Sequence, residues 1–202
     1  NAHFLYNTLD IIYSLALMSG AAEVAGITQK LSNMFRYISN FNSSAVRVRD
    51  EERHLQDYLA IQRIHTNGRV VCQVDLAPDI LDCMIPKLLL QPLAENAFKY
   101  GFSDRTEDGV LEIKGLRKNG LIYFTVRNNG AGMPPDQLKS VRKSLMAPGY
   151  STMGVGLPNI AQRLKLFFNS RAKIMIDSSP AEGTCVRICI PESGNVLVKG
   201  GI

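Results

Sequence analysis

The sequence predicts an α+β protein in which a helical hairpin is followed by an α/β domain. The first 41 residues carry two apolar helical repeats separated by Ser19-Gly20, and this pattern predicts the hairpin. Further along the chain, segments that alternate as strands are separated by short turns and helical segments, which predicts the mixed domain. We expect the hairpin at residues 1–45, the mixed domain at residues 46–191 and a tail at residues 192–202.

Composition narrows the class of protein. The chain has 202 residues, of which 46% are hydrophobic and 20% charged, as is usual for a globular protein with a buried core. The net charge of +5 suits an anionic ligand or an acidic partner, but Lys and Arg are scattered, so nucleic acid is not an expected partner. The four cysteines lack CxxC spacing and a nearby His, which favours reduced thiols over a zinc site.

The predicted hairpin consists of a helix over residues 1–19 and a second helix that ends near residue 41. The polar stripe of the first helix is formed by His3, Asn7, Asp10 and Ser14. The second helix keeps an alternating spacing of three and four between apolar residues, namely Val24, Ile27, Leu31, Met34, Ile38 and Phe41. Such a seam predicts a homodimer in which two hairpins form a four-helix bundle.

The segment 86–101, PKLLLQPLAENAFKYG, predicts an amphipathic helix that starts at Pro86, bends at Pro92 and ends at Gly101. Its apolar face would carry Leu89, Leu90, Leu93, Ala94, Ala97 and Phe98, and its polar face Gln91, Glu95, Asn96 and Lys99. A polar linker at residues 42–48 and a helix from a cap at Asp50 to about His65 are expected before it.

Strands are predicted at residues 69–76, 109–116, 121–127, 173–178 and 184–190. The second and third of these would be joined by a turn at Lys118-Asn119-Gly120. About twenty residues after Met133 are rich in Pro, Gly, Ser and Met, which predicts either a disordered segment or a lid. A helix is expected to follow, over residues 154–168.

Two glycine pairs flank this segment. Gly130 and Gly132 follow a strand, and Gly154 and Gly156 precede a helix, so the backbone can approach a ligand and helix N–H groups can face phosphate. Either pair alone is also typical of an ordinary turn. Their order along the chain, after a helical Glu-Asn pair, is more specific.

These motifs resemble those of a known superfamily. ENAFKYG at 95–101, NNGAG at 128–132, GVGLPNIAQRL at 154–164 and EGT at 182–184 resemble the N box, the two glycine boxes and the closing threonine of the GHKL ATPases, which include gyrase, Hsp90, histidine kinases and mismatch-repair proteins. The opening NAHFLYNTLD resembles the phosphoacceptor box NPHFLYNTLN of LytS-type sensor histidine kinases. The resemblance extends over residues 1–191. It implies a helical-hairpin dimerisation region followed by a GHKL, or Bergerat-type, α/β sandwich that binds ATP.

The resemblance also implies roles for individual residues. His3 would be the phosphorylated nucleophile, and Asn96 would hold Mg²⁺. The residues expected to bind ATP and its metal are Asn96, Lys99, Asn128, Gly130, Gly132, Gly154, Gly156, Leu157 and Thr184.

Several of these roles have alternatives. Glu95 either pairs with Lys99 or orients a water or the attacking imidazole. Arg163 either clamps the lid or contacts phosphate. Asn7 either positions a water for dephosphorylating a partner or is only an exposed polar residue. His54 and His65 have no such context and are expected at the surface.

The sequence departs from the family pattern at three positions. Ala2 replaces the usual Pro, Tyr100 replaces the His of LytS-type sequences, and Asn128 replaces the Asp expected to accept a hydrogen bond from the adenine amino group. The third change concerns nucleotide affinity directly.

Two functions remain open at this point. The first is the catalytic part of a sensor kinase, which phosphorylates His3 and passes the phosphoryl group to an Asp of a response regulator. The second is a degenerate dimeric signalling module that binds nucleotide weakly or not at all. The resemblance also implies that the full-length protein is anchored in the cell membrane, with this part in the cytoplasm.

Overall fold

The computed structural model describes residues 2–39, 43–102, 108–146, 156–180 and 182–192. Their helices are α1 (Ala2–Met18), α2 (Ala22–Ser39), α3 (Val48–His65), α4 (Gln91–Asn96), α5 (Pro135–Met146) and α6 (Gly156–Phe167). Their strands are β1 (Ala45–Arg47), β2 (Val70–Leu76), β3 (Met84–Pro86), β4 (Gly109–Lys118), β5 (Leu121–Asn128), β6 (Lys173–Ser179) and β7 (Gly183–Pro191). A 3₁₀ turn (Pro78–Ile80) precedes β3, and a π-helical turn (Ala97–Gly101) continues α4.

The two N-terminal helices form the predicted hairpin. Gly20, with φ of +71°, turns the chain between α1 and α2. The pairing is antiparallel, because the hydroxyl of Tyr6 in the first half of α1 donates to the carbonyl of Phe35 near the end of α2, and Asp10 in the middle of α1 forms an ion pair with Arg36. Small or short side chains such as Ala16, Ala25 and Ser32 are buried on these two helices.

The outer surface of the hairpin is apolar. The exposed large side chains of α1 are Phe4, Leu5, Ile11, Ile12, Leu15, Leu17 and Met18, and those of α2 are Val24 and Ile38. Phe4, Ile11, Leu15 and Met18 are separated by seven, four and three residues, so they share one helical face. The unburied apolar seam therefore lies mainly on α1. Of the seam predicted on α2, Val24 and Ile38 are exposed, Met34 packs against the core, and Phe41 lies outside the described residues.

The remaining elements form two layers. Five strands form a sheet in the order β2-β4-β5-β7-β6, in which β2 and β4 are parallel and the other neighbours antiparallel. Alternate strand residues such as Ile113, Phe124 and Ile188 are fully buried against α3, α4 and α6. The turn between β4 and β5 places Asn119 and Gly120 at φ of +53° and +71°, as a two-residue hairpin turn requires. The α+β fold and its sheet are thus confirmed.

The segment 86–101 corrects the prediction of one continuous helix. Met84–Pro86 is a strand, β3, which pairs antiparallel with β1. Leu88 then takes a φ of +57°, a value that no α-helix allows, and regular helix starts only at Gln91. Pro92 therefore lies in the first turn of α4, where its missing N–H costs nothing, and does not bend a longer helix.

Two neighbouring predictions also need correction. Residues 45–47 of the expected linker form β1, and α3 starts at Val48 without a side-chain cap, so Asp50 lies inside its first turn. Part of the segment expected to be disordered or a lid is α5, which Pro135 opens and whose Leu138, Val141 and Leu145 pack against the core.

Candidate functional site

A cavity of about 370 Å³ lies between α4 with its π turn, the end of β5, α5 and the start of α6. Six of the predicted site residues line it, namely Asn96, Asn128, Gly132, Gly156, Leu157 and Thr184. The wall is otherwise mainly apolar, and includes Leu93, Val126, Met133, Val141 and Val186. Such a slot suits a flat, largely apolar group, with polar contacts at a few points.

Asn128 is buried at the end of β5, with 5% of its surface exposed. Its side-chain Oδ1 accepts a hydrogen bond from the Gly130 N–H at 3.0 Å. This contact fixes the orientation of the amide, because a donor must face the oxygen and not the NH₂ group. Among the described residues the Nδ2 group has no partner, so it is available to a ligand in the cavity.

The first glycine pair is required by close backbone contacts. A Cβ added at Gly130 would overlap the carbonyl group of Gly101, and one added at Gly132 would overlap that of Ser179. Gly132 also has a φ of +67°. Gly130 thus holds the chain after β5 against the π turn, and Gly132 holds it against the end of β6, which sets the position of Asn128 in the cavity wall.

Asn96 is half-buried at the end of α4, and its Nδ2 atom is inaccessible without a hydrogen-bond partner in the described part of the chain. A Cβ at Gly156 would come within 3.0 Å of the Asn96 amide, so the first residue of α6 lies directly against it. A buried polar group without a partner is costly, so the Asn96 NH₂ group lacks an acceptor of the kind that a bound ligand could supply. Gly154, the other glycine of this pair, lies outside the described residues.

The closing threonine belongs to a small hydroxyl network. The hydroxyl groups of Thr184 and Ser178 are 2.7 Å apart, and Ser178 donates to the Gly183 carbonyl at 2.8 Å. Ser178 also accepts a hydrogen bond from the Met133 N–H at 2.9 Å. The network ties the chain after the first glycine pair to the β6–β7 turn, next to the cavity.

Other predicted residues do not line the cavity. Glu95 and Lys99 are exposed on the outer side of α4 and its π turn, and Gly130 lies behind the wall. The ion pair between Glu95 and Lys99 is absent from the described structure, and the Lys99 ammonium group instead lies 5.1 Å from the centroid of the Tyr100 ring. His3 is exposed on α1, where its Nδ1 is 3.4 Å from the Asn7 Nδ2, a long and weak hydrogen bond.

The structure changes the interpretation of Arg163 and of His54. Arg163 donates hydrogen bonds to the carbonyl groups of Lys87 and Leu88, and it does not line the cavity. Burial lowers the pKa of its guanidinium, while the nearby Glu51 opposes this shift. The prediction that His54 lies at the surface is wrong, since only 3% of it is exposed, whereas His65 is exposed as predicted.

Some functional residues escaped prediction. Gln137, Val141 and Ser144 line the cavity from α5, whose helical spacing of Leu138, Val141 and Leu145 was the available signal. Tyr100, predicted only as a departure from the family pattern, and Gly101, predicted only as the end of a helix, also line the wall.

The described site has few side chains that could bind a metal ion directly. No cluster of three or more His, Cys, Asp or Glu side chains occurs among the residues that the structure describes. Asn96, which lines the cavity, offers one amide oxygen, and this fits Mg²⁺ held mainly by ligand phosphates and water, since the ion takes few protein ligands.

Comparison with known proteins agrees with this fold. Residues 83–194 match the model of the histidine kinase-, DNA gyrase B-, and HSP90-like ATPase family, and residues 1–70 match that of the histidine kinase family. The sensor histidine kinase YesM of Bacillus subtilis is 32% identical over 98% of this chain, and the sensor protein kinase HptS of Staphylococcus aureus is 32% identical over 97%. The chain spans 33% and 38% of the lengths of these relatives.

Solved structures show the same fold. The histidine kinase domain of the Erythrobacter litoralis EL346 blue-light activated histidine kinase aligns with a TM-score of 0.54 at 19% identity, over 94% of this chain and 96% of that one. The catalytic domain of the histidine kinase ThkA aligns with a TM-score of 0.55 at 17% identity, over 75% of this chain and 97% of that one.

The fold, the cavity and the family match define an ATP-binding domain of the class that histidine kinases share with DNA gyrase B and HSP90. With the histidine kinase match over its N-terminal region and its YesM and HptS relatives, the chain belongs to the sensor histidine kinase family. Among the described residues, no helix has the length and apolar character needed to span a membrane.

Proposed function

We propose that this chain is the catalytic part of a two-component sensor histidine kinase, which uses ATP to phosphorylate His3 and then passes the phosphoryl group to an aspartate of a response regulator. The observation that carries the proposal is the cavity, in which the unpartnered Asn96 amide adjoins Gly156 and the buried Asn128 lies at the end of β5. Apolar walls between these polar points match a nucleotide, whose base is flat and whose phosphates are charged.

The two ends of the nucleotide have different partners. The base would lie between apolar side chains such as Leu93 and Val186, near Asn128 and Thr184. The phosphates would lie near Asn96 and the N-terminus of α6, whose N–H groups and helix dipole favour anions. The preceding Gly154 belongs to the same proposed phosphate-binding segment.

Mg²⁺ would be held by the Asn96 side-chain oxygen together with phosphate oxygens and water, and it would neutralise charge on the transferred group. Asn96 also has a role of its own, since its position against Gly156 sets how closely α6 approaches the ligand. Measuring nucleotide affinity with and without Mg²⁺ tests this assignment.

His3 would supply the nucleophile. A neutral ring nitrogen of His3 forms a bond to the γ-phosphorus while the bond from that phosphorus to the β–γ bridging oxygen breaks, and ADP leaves with the electron pair. His3 lies outside the cavity here, so the transfer requires the hairpin to move relative to an ATP-binding domain, in the same chain or in a second protomer. We assign Glu95 to orienting the imidazole or a water, and Asn7 to positioning a water during dephosphorylation of the partner.

The hairpin would form the homodimer. Large apolar side chains such as Phe4, Ile11 and Met18 are 71%, 60% and 84% exposed, which is unfavourable in water unless a second surface covers them. A second hairpin offers the same seam by two-fold symmetry and completes a four-helix bundle. The response regulator would dock on this bundle near His3, and we propose a membrane anchor in the full-length protein, as inferred from the LytS-type resemblance.

Labelling with ATP that carries a radioactive γ-phosphate tests the proposal. We expect phosphate that is labile in acid and stable in base, lost in His3→Gln and retained in the control His65→Gln, which changes an exposed histidine that does not line the cavity. Nucleotide binding without any labelled histidine would favour the non-catalytic module instead. Absence of nucleotide binding would contradict the proposal altogether.

A further inference from the structure

A buried polar cluster lies between the hairpin and the ATP-binding domain, outside the cavity. It consists of Tyr37 on α2, Glu51 and His54 on α3, the backbone of Leu88, and Arg163 on α6, and we call it the Glu51 cluster. The proposed chemistry uses none of these groups. A role for the cluster rests on the proposed function, because it concerns how the helices of the nucleotide site are positioned.

Glu51 is fully buried, and three donors surround its carboxylate. The N–H groups of Leu88 and Leu90 donate to it at 2.9 and 3.0 Å, and the Tyr37 hydroxyl donates at 2.5 Å. A buried carboxylate is tolerated when hydrogen bonds replace its hydration, and here two of the three come from the segment just before α4. Glu51 therefore fixes the start of the helix that carries Asn96.

Arg163 holds the same segment from its other side. Its guanidinium donates to the carbonyl groups of Lys87 and Leu88, the latter at 3.1 Å. Leu88, with φ of +57°, thus has both its N–H and its carbonyl bound by side chains, which stabilises a backbone conformation that is unfavourable for leucine. The start of α4 and the helix α6 are connected through this turn.

The hairpin enters the cluster through Tyr37. The ring of Tyr37 stacks on that of His54, with centroids 4.1 Å apart, and His54 Nε2 lies 2.5 Å from the side-chain oxygen of Gln91, the first residue of α4. The Lys87 ammonium group lies 4.9 Å from the centroid of the Tyr37 ring. Other polar contacts between α2 and α3, such as Lys30 with Asp57, do not involve the segment before α4.

We propose that Tyr37 is a positioning residue that couples the hairpin to the nucleotide site through its hydrogen bond to Glu51. A shift of α2 that withdraws the Tyr37 hydroxyl removes one of the three donors that hold Glu51, and so loosens the turn that positions α4 and α6. Coupling of this kind is reciprocal, so a nucleotide that orders α4 and α6 must also order the Tyr37 end of α2.

Amide hydrogen exchange with and without a non-hydrolysable ATP analogue and Mg²⁺ tests this coupling. In the wild-type chain we expect the analogue to slow exchange in α4, in α6 and in residues 31–39 of α2. In Tyr37→Phe, which keeps the ring and removes only the hydroxyl, α4 and α6 should still respond, whereas residues 31–39 should not. The Leu88 and Leu90 amides of this variant should exchange about tenfold faster without ligand, since Glu51 has lost a donor.

Tyr6→Phe is the matched control. The Tyr6 hydroxyl donates to the Phe35 carbonyl at 3.3 Å within the hairpin, so its removal costs a hydrogen bond without touching the Glu51 cluster. This variant should respond to the analogue as the wild-type chain does.

The outcomes separate the two proposals. A response in α4 and α6 without one in residues 31–39 of the wild-type chain overturns the role of Tyr37 and leaves the proposed function intact, and this arm needs no variant to fold. A response in residues 31–39 that persists in Tyr37→Phe overturns it as well. No response anywhere contradicts the proposed function, and with it the coupling.

Discussion

Asn128→Asp tests how the cavity recognises its base. The Oδ1 of Asn128 accepts the Gly130 N–H at 3.0 Å, so an aspartate can keep this contact and place its second oxygen where the Nδ2 group now lies. That oxygen would accept a hydrogen bond from the adenine amino group, which the Asn NH₂ cannot do. We therefore expect the Asp variant to bind a non-hydrolysable ATP analogue more tightly.

The size of the effect follows from the two kinds of hydrogen bond. Hydrogen bonds to charged groups contribute about 1.5–3 kcal/mol and neutral ones about 1 kcal/mol, so the gain is several-fold to about tenfold in affinity. The same carboxylate is buried beside one N–H donor in the free protein, where incomplete solvation costs on the order of 1–3 kcal/mol. The variant should therefore melt several degrees lower without ligand and recover more than the wild-type chain when the analogue is added.

Calorimetric titration with analogues of ATP and GTP provides the measurement. A GTP analogue presents an oxygen at the same position of the base, so its binding should stay unchanged or weaken in Asn128→Asp. Asn169→Asp, which adds the same charge at an exposed position after α6, is the control and should change neither affinity. Weaker binding of the ATP analogue by Asn128→Asp would refute the reasoning and would mean that the Asn NH₂ group itself contacts the ligand.

Three further predictions concern other parts of the chain. Leu15→Asp places an unpaired charge in the apolar seam of the hairpin and should yield monomers in sedimentation. The control Ser14→Asp, on the neighbouring polar stripe, should leave the dimer unchanged. Monomeric wild-type protein at micromolar concentration would contradict the predicted dimer. Burial lowers the pKa of His54 below 6.5, so at lower pH the unfolded chain takes up a proton that the folded protein excludes, and stability falls as the pH drops below 6.5. In urea unfolding at pH 7.5 and 5.5, His54→Gln should therefore lose less stability on acidification than the wild-type chain. An equal loss would refute the assignment to His54. Gly130→Ala should destabilise the protein by about 1–3 kcal/mol and abolish nucleotide binding, because the new Cβ overlaps the Gly101 carbonyl group. The control Gly26→Ala should be neutral or stabilising, because a Cβ there meets nothing within 4 Å. Unchanged nucleotide binding by Gly130→Ala would contradict the proposed close contact.

Predictions from the sequence succeeded where a single local pattern decides the structure. The hairpin helices follow from apolar spacing and from Gly20, and the β4–β5 hairpin follows from Asn119-Gly120, whose positive φ values the turn requires. The glycines at 130 and 132 could be recognised as points of close backbone approach, and in the structure a Cβ at either would overlap a backbone carbonyl group. For the hairpin helices and the β4–β5 turn, the determining interaction lies within a few residues of the pattern.

The start of α4 could not be predicted in this way. The apolar residues expected on one face of a helix are indeed buried, namely Leu89, Leu90 and Leu93. Leu89 and Leu90, however, precede the helix α4. Burial alone does not distinguish a helix from an irregular segment packed on the same core. The deciding feature is the left-handed turn at Leu88, which leucine adopts only because distant side chains bind its N–H and carbonyl groups.

The Glu51 cluster shows why such features escape prediction from sequence. An acidic residue in the first turn of a helix is ordinarily an exposed complement to the helix dipole, and nothing near Glu51 in the sequence indicates otherwise. Its burial depends on Tyr37, Leu88 and Arg163, which are separated from it by 14, 37 and 112 positions. The local sequence around each of these residues is also compatible with an exposed side chain on an ordinary helix or turn. Only the tertiary structure shows that they come together. Residues that connect the hairpin to the ATP-binding domain are therefore hard to predict from sequence, because their partners lie far away along the chain.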